Sequence, residues 1–202
     1  MKKYFVVILL FAMIGLQAQN RSKIESAANF TWYGIDFSMA QMVGTDVDFN
    51  EPAKIVSQFM PGWNKLFLDE PKKYDLEGTF KKKMVNDLSK VTERNAAVDY
   101  LKLVTDKANT VSAEDVAGVV KNYGGGDGIG LLFVVENFDK AAGQVRFWVV
   151  IFDVKTQEVM LAQKTTGKVG SGFGFRNYWA SGFYSAFKEM KSLYPKWLKS
   201  LS

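Results

Sequence analysis

The chain of 202 residues contains no cysteine and no histidine. Without histidine there is no Ser-His-Asp or Cys-His catalytic unit, because no imidazole is present to move the proton. Without cysteine there is no disulfide, no thiol nucleophile, no acylated lipoprotein cysteine and no thiolate zinc or iron–sulfur site. Carboxylates, arginine and aromatic rings remain for any chemistry. The length fits one domain, and such a chain can bury a core without disulfides.

A strong charge of one sign is also missing. Lys and Arg number 26 against 21 Asp and Glu, a net charge of +5. The most basic run, Lys81-Lys82-Lys83, lies near Glu77, Asp87 and Glu93 and reads as a solvated face. Nucleic-acid binders carry a concentrated basic stripe, so nucleic acid is not expected as a partner.

The first residues read as an address. Met1-Lys2-Lys3 is basic, Tyr4 to Leu16 is an unbroken apolar run, and Gln17-Ala18-Gln19 places a small residue where a signal peptidase cuts. This is the pattern of a secretory signal over residues 1–18. The run is shorter than the roughly 20 apolar residues of a membrane span, and no second one follows. An uncleaved amino-terminal anchor is the competing reading. Removing Lys2 and Lys3 leaves 24 basic and 21 acidic residues, so the net charge of the mature chain 19–202 falls to +3. The brevity of the signal looks bacterial, and the expected location is the periplasm or outside the cell.

Along the mature chain, Phe30 to Val43 reads as one strand with Tyr33, Ile35, Phe37 and Met39 on a single face. Asn50-Glu51-Pro52 suits a helix start, with Ile55, Val56 and Phe59 buried and Pro61-Gly62 as a break. Phe80 to Leu88 suggests an edge strand, and Ala96, Ala97, Tyr100, Leu101 and Val104 fit a helical stripe. Ser112 with the acids at 114 and 115 caps a helix that buries Val116, Val119 and Val120, ended by Gly124-Gly125-Gly126. Ile129–Glu136, Val145–Phe152 and Glu158–Gln163, joined by polar turns, read as a three-stranded antiparallel meander. From Arg176, Trp179, Phe183, Phe187, Met190 and Tyr194 recur at helical steps, and Pro195 is expected to interrupt them.

Several constellations could bind a ligand. In Gly170-Ser171-Gly172-Phe173-Gly174-Phe175-Arg176-Asn177, alternating glycines precede a helix amino terminus, a place suited to an anion. It is neither a Walker loop nor a dinucleotide fingerprint, since position 175 is Phe. Alternatively the glycines let Phe173 and Phe175 turn inward at a strand-to-helix corner. Gly124 to Gly130 precedes a strand and reads as a helix end and turn. Asp46-x-Asp48-x-Asn50 begins like a calcium loop, but Glu51 and Ser57 stand where Gly and Glu are required. A looser site for a hard cation stays open. Asp36 in an apolar strand and Arg146 beside Trp148 could form a buried pair. Asp127, Glu136 and Asp153 flank strand ends, where paired carboxylates of a hydrolase would be sought. The aromatics, including 5 Trp, divide between core and a sugar- or peptide-binding platform.

The run Phe147 to Asp153, the strand Val159 to Ala162 and the segment Gly172-Phe173-Gly174-Phe175-Arg176-Asn177-Tyr178-Trp179 resemble uncharacterised exported proteins of Bacteroidetes-type bacteria. The signal end Leu16-Gln17-Ala18-Gln19 is similar to theirs. The strand–turn–strand–helix order also distantly resembles the amino-terminal α/β domain of the TolB translocation protein and its curli-channel relatives. Neither resemblance brings a catalytic motif.

Together these readings predict a signal peptide followed by a single α+β domain. Its sheet would be mainly antiparallel, of about five strands, covered by two or three helices and closed by a long carboxyl-terminal helix. The expected function is a non-catalytic, envelope-associated binding or interaction domain for a protein or glycan partner. A His-free carboxylate hydrolase and an anion or nucleotide sensor are the alternatives. The candidate ligand-binding residues are Gly172, Gly174, Arg176, Asn177, Arg146, Trp148 and Asp36; no catalytic residue, metal ligand or cofactor is assigned.

Overall fold

The computed structural model describes residues 17–201. The expected signal over 1–18 lies outside the described residues, except for Gln17 and Ala18, which belong to a helix, α1, described over 17–26. Among the described residues seven strands form one sheet: β1 (Asn29–Asp36), β2 (Gln41–Val43), β3 (Lys83–Asn86), β4 (Val104–Thr105), β5 (Ile129–Asp139), β6 (Gln144–Asp153) and β7 (Glu158–Lys168). The further helices are α2 (Pro52–Lys54), α3 (Met60–Asp69), α4 (Leu76–Phe80), α5 (Ser89–Ala96), α6 (Ala113–Val120) and α7 (Gly174–Lys199).

β5 is the organising strand. Along one edge it pairs in parallel with β1 over its first half and with β2 over its second. β3 extends β1 and β4 extends β2, both in parallel. Along the other edge β5 pairs antiparallel with β6, and β6 with β7. The class is therefore α/β, not the α+β fold with a mainly antiparallel sheet of about five strands. Hairpin turns reveal antiparallel neighbours in a sequence, whereas parallel neighbours return through helical crossovers and leave no such mark. The edge strand expected over Phe80 to Leu88 is present as β3, shortened to Lys83–Asn86; β2 and β4 hold only 3 and 2 residues, too few for an alternation to show, and more helices cover the sheet than the two or three expected.

Other local corrections have physical causes. The strand expected over Phe30 to Val43 breaks between β1 and β2. Within β1 the register against β5 shifts between Trp32 and Ile35, where Gly34 adopts φ +95°. The bulge changes the face of the apolar series: Phe30 and Trp32, then Ile35 and Phe37, enter the same core cluster, while Tyr33 enters the opposite one. Asn50 does not cap; the capping position is Glu51, followed by Pro52. Pro61-Gly62 does not end the helix, because a π turn, Ile55–Phe59, precedes α3 and widens the coil just where proline lacks its N–H. The stripe Ala96 to Val104 is instead the end of α5, a 3₁₀ turn and β4. Pro195 lies inside α7; it and Lys191, whose carbonyl it releases, face solvent.

Each face of the sheet has its own core. One is aromatic: Trp32, Trp63, Phe67, Phe133, Phe138 and Phe183 pack under α3 and α7, with Trp63 stacked on Phe138 at 5.0 Å between centroids. The other gathers Tyr33, Val116, Val120, Tyr123, Leu132 and Val150 under α6. Ser112 and Asp115 close the capping box of α6. The Lys81–Lys83 run has a structural member, since Lys82 Nζ donates to the carbonyls of Glu25 and Ala27, each at 2.7 Å.

Candidate functional site

Where β1 ends, its outer edge has passed beyond β3, and two asparagine side chains replace the missing strand. Asn64 of α3 accepts from the Ile35 N–H at 2.7 Å and donates to its carbonyl at 2.9 Å. Asn95 of α5 donates to the same carbonyl at 2.9 Å and accepts from the Phe37 N–H at 2.8 Å. Both amides are buried, and they satisfy backbone groups that water cannot reach.

Between those two bridges sits Asp36, fully buried. Its carboxylate accepts from Arg94 Nε at 2.7 Å, from the Tyr123 hydroxyl at 2.6 Å and from the Ser38 N–H at 2.7 Å. Arg94 Nη2 also donates to Ser38 Oγ at 2.7 Å, and its guanidinium lies 5.8 Å from the centre of the Tyr123 ring. Burial, reinforced by the charge of Asp36, drives the Tyr123 hydroxyl far above its ordinary pKa. Burial alone would lower the pKa of Arg94; the hydrogen bond and charge of Asp36 reverse this and raise it.

A cleft of about 590 Å³ opens beside this hub. It lies off the carboxyl end of β1, the side on which sheets of parallel strands hold their ligands. Ser38 and Gln41 line it from the β1–β2 break, Lys90, Glu93 and Arg94 from α5, Asp99 and Lys102 from the following turn, and Asn109 and Asn122 from loops. Lys90 pairs with Glu93 at 2.9 Å and Lys102 with Asp99 at 3.3 Å. The hydrogen bond from Lys90 holds Glu93 below the usual carboxylate range. Gln41 Oε1 accepts from the Asn109 N–H at 2.7 Å and fixes that loop.

The seven residues singled out in the sequence fall in three places. Asp36 is in the hub, but its partner is Arg94 and not Arg146. Asp36 shares a cross-strand row with Val134, Trp148 and Lys164, which puts Trp148 two strands away. Arg146 stands in the next row, between Asn137 and Thr166. There the ammonium of Lys164 pairs with buried Glu136, lies 5.0 Å from the Trp148 ring and donates to the Val111 carbonyl at 3.1 Å. The side chain of Asn137, fully buried, has no hydrogen-bond partner. Gly172, Gly174, Arg176 and Asn177 belong to the start of α7, on the aromatic face. A Cβ on Gly172 would meet the Asn177 carbonyl at 2.4 Å, so this glycine permits close packing of the corner. Phe175 turns inward onto Phe59 at 4.9 Å. Phe173, expected inside as well, is 99% exposed, because the helix begins directly after it and carries it outward. The Arg176 carbonyl accepts from Trp63 Nε1 at 2.9 Å, while its side chain is exposed.

The acids expected at strand ends do not converge. Asp127 is exposed and pairs with Lys155 at 3.3 Å; Asp153 accepts from the Lys155 and Thr156 N–H groups of its own turn; Glu136 is held by Lys164. Asp48 accepts from Thr45, and among the described residues no group of three or more acidic side chains is placed to hold a metal ion. Arg94, Tyr123, Asn64 and Asn95 were not singled out in the sequence. A lone Asp in an apolar strand demands a cationic partner, yet it does not say which of 26 basic residues answers.

Among the described residues no helix is long and apolar enough to cross a membrane. Comparisons with protein-family models, with curated proteins and with solved structures give no match.

Proposed function

We propose that this chain is an exported, envelope-associated binding domain without catalytic activity, and that the cleft at the carboxyl end of β1 receives a segment of a partner protein. One observation carries the reading: the charged groups in the cleft and behind it already hold partners. Asp36 accepts three hydrogen bonds, and Glu93 and Asp99 are each tied to a lysine. General acid catalysis needs a carboxyl group that keeps its proton near neutral pH, and Glu93 is shifted the other way. What the cleft offers is a guanidinium fixed by Asp36 and hydrogen-bonding groups on Ser38, Gln41, Asn109 and Asn122. Fixed polar groups suit recognition, since little side-chain freedom is left to lose on binding. A protein is favoured over a glycan because Trp32, Trp63 and Trp179 are buried and no tryptophan lines the cleft. Export rests on the pattern of residues 1–18 and on the resemblance to exported Bacteroidetes-type proteins.

Ala97 lines the cleft and is exposed, so Ala97→Arg fills it without touching the hub. Crosslinking and capture from cell envelopes should retain one partner protein with the wild type and lose it with Ala97→Arg at unchanged Tm. Equal retention defeats the cleft reading. Hydrolysis of an ester or glycoside panel that disappears with Glu93→Gln defeats the non-catalytic one, and recovery of the chain in the cytoplasmic fraction defeats export.

A further inference from the structure

The second edge of the sheet bears on the chemistry of the partner. β7 has 11 residues and pairs with β6; among the described residues no strand lies on its other side. Its residues alternate between the faces. Gly167 packs under α7, so closely that an added Cβ would meet the Gly182 carbonyl at 1.8 Å. Lys164, Thr166 and Lys168 point to the other face, in register with Trp148, Arg146 and Gln144 of β6, and all three are exposed. α6 covers the far half of that face, packing on Val150, Phe152 and Val154; in the near half the segment before α6 reaches Lys164 through the Val111 carbonyl, and Thr166 and Lys168 stay exposed. The near half carries three cations, Arg146, Lys164 and Lys168. It carries two carboxylates: Glu136, with a side chain only 4% exposed and committed to Lys164, and Asp139, in the row of Gln144 and Lys168, which accepts from the Ala142 N–H.

We propose that the free edge of β7 docks an extended acidic segment of a partner protein as an added strand. The inference rests on the reading of the chain as a protein-binding domain and names the partner's chemistry. Backbone N–H and C=O groups on an unpaired edge supply the pairing. Side chains of an added strand fall opposite those of β7 and repeat every second residue. Acidic residues at i and i+4 therefore face Lys164 and Lys168, with Arg146 one strand behind. A second copy docked over the same stretch sets lysine against lysine, which like-charge pairing disfavours. The lysines thus choose between occupants.

The test uses the whole chain, labelled with ¹⁵N, and two blocked nine-residue peptides of alternating valine and glutamate or valine and lysine. The glutamate peptide should shift the amides of residues 161–168 and the Trp148 indole, and should bind at least about tenfold more tightly than the lysine peptide. The double variant Arg146→Glu, Lys168→Glu, at exposed or half-exposed positions, should reverse that preference. The inference is overturned by no binding, by equal binding of the two peptides, or by shifts centred on Lys81–Lys83. Self-association through β7 without peptide overturns it too, as does binding to phosphatidylglycerol vesicles, lost in the double variant, in place of peptide binding. Ala97→Arg should leave peptide binding intact. If Ala97→Arg abolishes it, the peptide sits in the cleft and the edge proposal fails while the cleft reading stands.

Discussion

At the scale of single residues, the hub around Asp36 dominates. A buried carboxylate is tolerable only while its partners remain. Arg94→Ala should therefore destabilise the fold by about 3 kcal/mol, the lower end of the range for a broken buried pair, because the Arg94 side chain keeps 20% exposure. Tyr123→Phe removes one hydrogen bond to a carboxylate and should cost about 1.5–3 kcal/mol. Urea unfolding of both variants checks the order; a loss under about 1 kcal/mol for Arg94→Ala would mean that Asp36 rehydrates without strain. This site was half legible in the sequence. Asp36 stood out against its apolar neighbours, but Arg94 follows 58 positions later and Tyr123 87 positions later. Only the fold brings them together. Asn64 and Asn95 gave no signal, since an asparagine that mimics a strand looks like any helical asparagine.

Secondary structure was legible where it is long and locally encoded. The capping box of α6, the meander β5–β6–β7 and the stripe of α7 follow from period and turn chemistry. The edge strand β3 lies within the expected Phe80 to Leu88, but β4 and the π turn do not follow, because they exist only where a tertiary neighbour holds them. Two glycines test how elements meet. Gly167→Ala places a methyl against the Gly182 carbonyl and must push α7 off β7, at a cost of about 1–3 kcal/mol. Gly118, exposed within α6, has open space where a Cβ would go. Gly118→Ala should stabilise by about 0.5–1 kcal/mol through helix propensity. Thermal melts that show the same sign for both would contradict this account of the α7–β7 contact.

For the whole molecule, the two absences noted in the sequence shape the pH response. No side chain has an ordinary pKa between about pH 5 and 8. On the acid side, Asp75 is held below the usual range by the Gly78 N–H and Lys191, Asp115 by Ser112, and Asp153 by the Thr156 N–H. Such groups bind protons more readily when unfolded, so their contribution is present above about pH 4 and is lost as pH falls through the folded values. On the alkaline side, burial raises the hydroxyls of Tyr74, Tyr123 and Tyr194. The unfolded tyrosines ionise first, so stability is full below about pH 10 and declines above it. Tm should be flat between about pH 5 and 9 in calorimetry, and a step near pH 6.5 would contradict the assignment. Strand direction was what the sequence hid at this scale, because hydrophobic alternation is the same for parallel and antiparallel neighbours.

The seat of β5 at the centre of the sheet also sets a timetable. Phe30 of β1 finds its partner in Ile129, about 100 residues further along the chain, whereas β5, β6 and β7 meet through turns of a few residues. Distant closure is slow and local closure fast. The meander is thus the piece able to assemble early, and β1, though made first, has only the four-residue β3 to join until β5 exists.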